Sequence, residues 1–189
     1  MNAILTVILY LYSLVFAIIS YALLIRIGLY YFKVSPFHQI SQLVNNLTNP
    51  LVNLSKKVFD LEKNRPILPY NVVITLLIIV IIKYIIGDIL FYRALPFHYL
   101  LILIVADLVI MPLNLLFFAI LIRAVMSWVR PDWHHPVQDI LVLFTEPLLK
   151  LGRYILPSMS GFDFSPLVIL LLLQLMSIFI SASLPVRLI

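Results

Sequence analysis

The sequence predicts an all-α membrane protein: four transmembrane helices forming two duplicated helix–connector–helix hairpins in a parallel repeat, with short interfacial amphipathic helices in the connectors. Three observations lead there. First, 63% of the 189 residues are hydrophobic and 11% charged, with a mean hydropathy of +1.13. A soluble domain carries about 45–50% apolar and roughly 25% charged residues, and a particle this small cannot hide the excess. Second, four stretches reach the about 20 residues that cross a ~30 Å hydrocarbon core at about 1.5 Å per residue. Backbone groups in lipid must be satisfied within the segment, so these stretches are helices despite their Ile, Val and Tyr content. Third, a spacing of arginine, threonine and proline in the first half recurs in the second.

The first span covers about Ala3–Leu29, and Ala3–Leu24 carries no charge. Its first base is Arg26 and its apolar run exceeds the roughly 7–15 residues of a secretory signal core, so it is expected to be retained. The second, about Asn71–Leu90, is interrupted by Lys83 and Asp88, with Asn71 a candidate cap. The third lies within Phe97–Trp128 and contains Asp107 and Arg123. Met111-Pro112 inside it predicts a bend or a change of packing partner. The fourth, Pro166–Val186, is uncharged up to its end, and Ser165-Pro166 offers a serine cap followed by an N1 proline.

The repeat is read from Arg26 and Arg123, each near the end of an odd-numbered span. Aromatic residues follow (Tyr30-Tyr31; Trp128), then a base, Lys33 or Arg130. Twenty-four residues after each arginine comes Pro50 or Pro147, in the frames TNPL and TEPL. A second proline closes RPILP (65–69) and RYILP (153–157), the first half needing about nine extra residues around Leu54–Asn64. The implied units are 1–92, with connector 33–70, and 93–189, with connector 129–164. Each unit has two spans, so a tandem duplication keeps both in one orientation. The connectors hold Lys33, Lys56, Lys57, Lys63, Arg65, Arg130, Lys150 and Arg153, against Arg93 and Arg187 on the other side. The positive-inside rule then puts the connectors in the cytoplasm and both termini outside.

In the second connector Val137, Ile140, Leu141 and Phe144 recur at helical spacing, with Gln138 and Asp139 between them. The expectation is a pair of short helices in the headgroup zone. Thr145 would cap the second, with Glu146 near its positive end and Lys150 toward the other. Residues 39–44 and 50–52 give a weaker version. The expected partners are the lipid bilayer and its anionic headgroups, with a membrane-protein partner or a second copy also open.

Arg26 and Arg123 can snorkel to lipid phosphate. Alternatively they face inward, where Arg123 would pair with Asp139, Glu146 or Asp163 to pin the connector, or would bind an anion. Asp107 lies ten residues into the third apolar stretch and Lys83 twelve into the second. A carboxylate there must be neutral, wetted, or paired with a base such as Lys83, and the same two residues could mark an ion or proton pathway. No metal or other cofactor is expected. Zinc wants about four convergent ligands, whereas the adjacent His134-His135 diverge and there is no cysteine. His38 and His98 read as isolated interfacial residues. No nucleotide loop, serine elbow or HExxH occurs, so no enzyme is expected. The net charge of +5 is spread over loops and helix ends, which does not point to nucleic acid.

The run Arg123-Ala-Val-Met-Ser127-Trp128, Pro136, Thr145-Glu146-Pro147-Leu-Leu149, Arg153 with Ile155-Leu-Pro157, then Asp163-Phe-Ser-Pro166 and Gln174 resembles the YggT family, in its two-copy proteobacterial form. The first half departs from the pattern: Tyr30-Tyr31 stands where Ser127-Trp128 stands, Asn49 replaces Glu146, and Asp163-Phe-Ser-Pro166 has no counterpart. The resemblance implies a multi-pass protein of the bacterial cell inner membrane. It also implies links to osmotic or envelope stress, potassium uptake, and division or nucleoid distribution. Together with the residues, it points to a scaffold without catalysis that supports an envelope process, either a stress or osmotic response or the assembly of membrane or division machinery. The alternative is an oligomeric ion or small-solute channel or transporter, potassium among the candidates, built on Lys83, Asp107, Asn114 and Gln174.

Overall fold

Uninterrupted runs of Leu, Ile and Val with no water to solvate their backbone leave the helix as the way to satisfy every N–H and C=O, and helices dominate the chain. The computed structural model describes residues 3–58, 69–92, 95–129, 135–155 and 163–184. In order they form α1 (Ala3–Tyr31), α2 (Gln39–Val58), α3 (Tyr70–Gly87) with a π-helical turn (Asp88–Tyr92), α4 (Phe97–Val129), α5 (Pro136–Ile155) and α6 (Ser165–Ala182). Among the described residues, four helical stretches are long and apolar enough to cross a membrane: Ile4–Tyr31, Tyr70–Phe91, Phe97–Ser127 and Ser165–Ala182. Only 17% of the apolar window in the first is buried within the protein. Its exposed Ile, Val and Leu side chains would each cost about 25 cal/mol per Å² in water, a penalty that lipid removes.

The chain packs as two compact units that divide between Leu108 and Val109, within α4. In the first, α1 packs on α2 and α3, and α2 on α3, around Leu23, Val52, Val80 and Tyr84. In the second, α5 packs on α6. Ile120, Leu149, Ile169 and Leu173 form its buried cluster, flanked by Leu116 and Phe117. Gly152 sets the approach: a Cβ there would lie 2.9 Å from Ile169 Cγ1 and 3.1 Å from the Ser165 carbonyl. The end of α1 is a Schellman turn. Lys33 takes φ 55°, with Val34 N–H donating to Leu29 O and Lys33 N–H to Tyr30 O.

Three local expectations are corrected. The second connector carries one continuous twenty-residue helix, with Pro147 in its interior, not a pair of short ones; α2 likewise runs through Pro50. Pro147 leaves the Leu143 carbonyl without its intrahelical donor. The apolar stripe Ile140, Phe144, Leu149 continues across the proline, and its burial holds the helix together. Thr145 therefore caps nothing; it sits in mid-helix. Asn71 is inside α3, which starts at Tyr70 after Pro69, and its buried side-chain amide has no hydrogen-bond partner among the described residues. At α6 the cap is Phe164 and Ser165 is already helical, so the serine does not cap. The carboxylate of Asp163 takes the Ser165 N–H instead, at 2.9 Å.

Gln39 and Pro136, which open α2 and α5, are 97 residues apart, and Val58 and Ile155, which close them, are also 97 apart. Tyr70 and Ser165, which open α3 and α6, are 95 apart. The interval from Val58 to Tyr70 is thus two residues longer than that from Ile155 to Ser165. RYI of the second half lies inside α5, whereas Pro69 stands directly before α3.

Candidate functional site

Arg123, on the last turns of α4, reaches α5 with both ends of its fork. Nη1 donates to Thr145 Oγ1 at 2.8 Å and Nη2 to Glu146 Oε2 at 2.7 Å. Thr145 can accept because its own proton goes back to the Leu141 carbonyl at 2.6 Å. The other Glu146 oxygen takes Arg153 Nη1 at 2.8 Å, and Arg153 Nε donates to Asp163 Oδ2 at 3.0 Å. Asp163 Oδ1 in turn takes the Ser165 N–H and hydroxyl. One alternating chain of charge, Arg123–Glu146–Arg153–Asp163, thus joins α4, α5 and the start of α6. The hydrogen bonds from Arg123 and then Arg153 hold the Glu146 carboxyl below the usual range. Partial burial pushes Asp163 up, but the two Ser165 hydrogen bonds and Arg153 together outweigh it, and the net direction is down. Arg153 is raised by Glu146 and then Asp163.

The first unit repeats the clamp with one change. Arg26 Nη1 donates to Thr48 Oγ1 at 2.6 Å and to Asn49 Oδ1 at 3.0 Å, and Thr48 donates back to the Val44 carbonyl at 2.7 Å. Both arginines are 22 residues from their threonine. Asn49, at the place of Glu146, accepts a hydrogen bond but brings no charge. The helix starts match as well: His38 Nδ1 accepts the Ile40 N–H at 3.3 Å and His135 Nδ1 the Val137 N–H at 3.2 Å. This role as a side-chain cap was not anticipated. Its signal was available, since the two histidines stand 97 residues apart, each next to the first residue of its helix.

Lys83 and Asp107 meet within the first unit. Nζ is 2.6 Å from Oδ2, and the two side chains are 3% and 9% exposed. Nζ also lies 5.1 Å from the Tyr84 ring centroid, and the Tyr12 hydroxyl of α1 donates to the Lys83 carbonyl. Buried charge in an apolar span is costly unless paired, and here each ion is the other's counter-charge.

The remaining candidates divide clearly. Pro147 is exposed on α5 and Ser127 exposed on α4, neither in the clamp. The side chain of Trp128, and Pro157, lie outside the described residues. Asn114 is bonded by Ser177 at 3.3 Å, while Gln174 is exposed. The arrangement holds elements in place by charge and hydrogen bonding.

Residues 102–184 match the family model described as CCB3/YggT. The chain is 29% identical to a protein of Escherichia coli K12 named "Uncharacterized protein YggT", over 89% of this chain and 86% of that one. It is 28% identical to an uncharacterized Haemophilus influenzae protein, over 83% and 82% of the two chains. A shorter match, 35% identical over 68 residues, is to an uncharacterized protein of Pseudomonas aeruginosa, covering 36% of this chain and 34% of the relative. No solved structure matches.

Proposed function

We propose that this chain, which belongs to the YggT family, is a non-catalytic multi-pass scaffold of the bacterial inner membrane that supports an envelope process. Its spans hold two amphipathic helices, α2 and α5, as a fixed platform at the headgroup level. The observation that carries this is the clamp itself: an arginine from a span grips a threonine and its neighbour on the connector helix, once in each unit. The shared cap, clamp and interior proline 97 residues apart support descent from one duplicated hairpin.

The faces of α2 support an interfacial position. Ser41, Thr48, Val52 and Ser55 are buried on one side, while Leu43, Leu47, Leu54 and Val58 form an exposed apolar stripe on the other. Gln42, Asn46, Asn53 and Lys57 fall between them. A helix whose exposed surface is part apolar stripe and part polar suits the boundary between acyl chains and headgroups. On this reading α2 and α5 face the cytoplasm.

The test uses the absence of native cysteine. Single substitutions Lys57→Cys and Lys150→Cys should label with a membrane-impermeant maleimide from the cytoplasmic side, and Leu43→Cys and Leu54→Cys should resist. Complementation of a strain lacking the gene under osmotic upshift should be lost in Arg123→Gln and Arg26→Gln. Equal labelling of all four cysteines, or full complementation by both clamp variants at normal protein levels, would sink the scaffold reading.

The Lys83–Asp107 pair favours a second reading, permeation of an ion or small solute along a buried polar path. Potassium or proton flux in liposomes above the empty control, abolished in Asp107→Asn or Lys83→Met, would replace the scaffold with that reading.

A further inference from the structure

Two rows of side chains run along α6 with different spacings. Ile169, Leu173 and Ser177 recur every four residues and are buried. They pack with Leu149 of α5 and Ile120 of α4, and Ser177 donates to Asn114. Leu167, Leu171, Gln174, Ile178 and Ser181 are all exposed, at successive spacings of 4, 3, 4 and 3. At about 100° per residue these five fall in one strip, centred about 120° around the helix from the buried row. A repeat of about 3.5 residues is the seam along which two helices pair in a left-handed supercoil.

One member of the strip is out of place in lipid. Gln174 stands nine residues after Ser165 and eight before Ala182, the two ends of α6. About 12–14 Å of helix therefore separate it from either end, beyond the reach of a glutamine side chain. Its amide is exposed and makes no hydrogen bond among the described residues. An unpaired amide in hydrocarbon is costly, and a hydrogen bond across to another helix relieves the cost. We propose that α6 pairs in parallel with α6 of a second copy, the two Gln174 amides hydrogen-bonding each other across a two-fold axis along the membrane normal. Two copies inserted the same way bring Gln174 to one depth, and in a parallel pair equivalent seam positions face each other. An amide holds both a donor and an acceptor, so each NH2 donates to the carbonyl oxygen of its image. A carboxylate or a cation on another protein would use only one half of it. Leu171 and Ile178 pack on either side of the amides, and the small Ser181 lets the helix ends approach. The pairing involves one exposed strip of one span and does not rest on the scaffold reading.

The test uses the full chain in native membranes and has no native cysteine to contend with. Under mild oxidation, Leu171→Cys and Ile178→Cys should each give a disulfide-linked species of twice the 21.8 kDa chain mass. Leu172→Cys and Phe179→Cys, exposed on the remaining side of α6, should not. Energy transfer between copies labelled at Lys150→Cys in phosphatidylcholine vesicles, followed against the protein-to-lipid ratio, gives the dimer dissociation constant. Gln174→Leu removes two interhelical hydrogen bonds and should raise that constant about five- to tenfold. Gln174→Asn, which keeps an amide, should fall between Gln174→Leu and the parent, and Phe179→Leu should stay within about twofold of the parent. A cross-linked species of another mass assigns the strip to a different partner and overturns the proposal. Equal cross-linking at all four positions, or at none, overturns it as well. So does a Gln174→Leu constant within about twofold of the parent.

Discussion

Removing one member of the Lys83–Asp107 pair should destabilise the protein far more than removing both. The charges lie 2.6 Å apart with side chains 3% and 9% exposed. At an effective dielectric near 20, two unit charges at that distance attract by about 6 kcal/mol. Desolvating the two ions takes back several kcal/mol each, so the intact pair contributes little net stability. A single substitution changes the balance, because it strands one ion in an apolar span at a cost of roughly 3–5 kcal/mol. In lipid the unfolded reference also finds partners for a stranded ion, which favours the lower end, about 3 kcal/mol. The Tyr12 bond is to the Lys83 backbone carbonyl and survives either change. The assay is a double-mutant cycle of Lys83→Met, Asp107→Leu and the double variant. Each is unfolded in mixed micelles by titrating a denaturing detergent and followed by far-ultraviolet circular dichroism. Each single variant should lose about 3 kcal/mol, and the double should return to within about 1 kcal/mol of wild type. Single variants that each lose under about 1 kcal/mol, with additive effects in the double, would refute a buried, mutually dependent pair.

Three further outcomes are expected. Gly152→Ala should cost about 1–3 kcal/mol in the same assay, because its methyl meets the Ser165 backbone as well as Ile169; a neutral result would mean α5 and α6 are not in close contact. Glu146 and Asp163 have folded pKa values below their ordinary 4.5 and 3.8, so the stability they lend is complete above those values and is lost as pH falls through the lower folded ones. The melting temperature should hold from pH 7 to about 5 and fall below about 4, less steeply in Glu146→Gln; a fall confined to pH 7–5 would assign it to other groups. Lys33→Gly should raise stability by about 0.5–1 kcal/mol, because a left-handed conformation costs a side-chain-bearing residue roughly 1–2 kcal/mol and glycine recovers all but its own entropy. A loss there would mean the lysine side chain contributes more than its backbone strain costs.

The clamps separate what was readable from what was not. That Arg123 would meet Glu146 could be anticipated, because opposite charges near a span end and in an amphipathic connector have few other partners. That the same carboxylate would also take Arg153, and that Arg153 would pass the chain on to Asp163, could not. Those contacts depend on the rotation of α5, which is fixed by burying Ile140, Phe144 and Leu149 and by the absence of a side chain at Gly152. Thr145 and Asn71 were misplaced for one reason: Thr and Asn are common caps, and local preference was followed where packing decides. A proline likewise reads as a helix boundary, yet α2 and α5 run through Pro50 and Pro147 because apolar or polar contacts on both sides hold each helix together.

The sequence by itself determined which stretches are apolar enough for lipid and long enough to cross it. Hydropathy and length are sums over a segment and do not depend on what the segment touches. It also offered Lys83 as a counter-charge for Asp107, with a neutral or wetted carboxylate as the alternatives. Only the tertiary structure decided which donor meets which acceptor, and where the Ser41 hydroxyl is left without a hydrogen-bond partner among the described residues. Those are properties of helix rotation and register, set by many weak packing contacts at once, and no short window of sequence contains them.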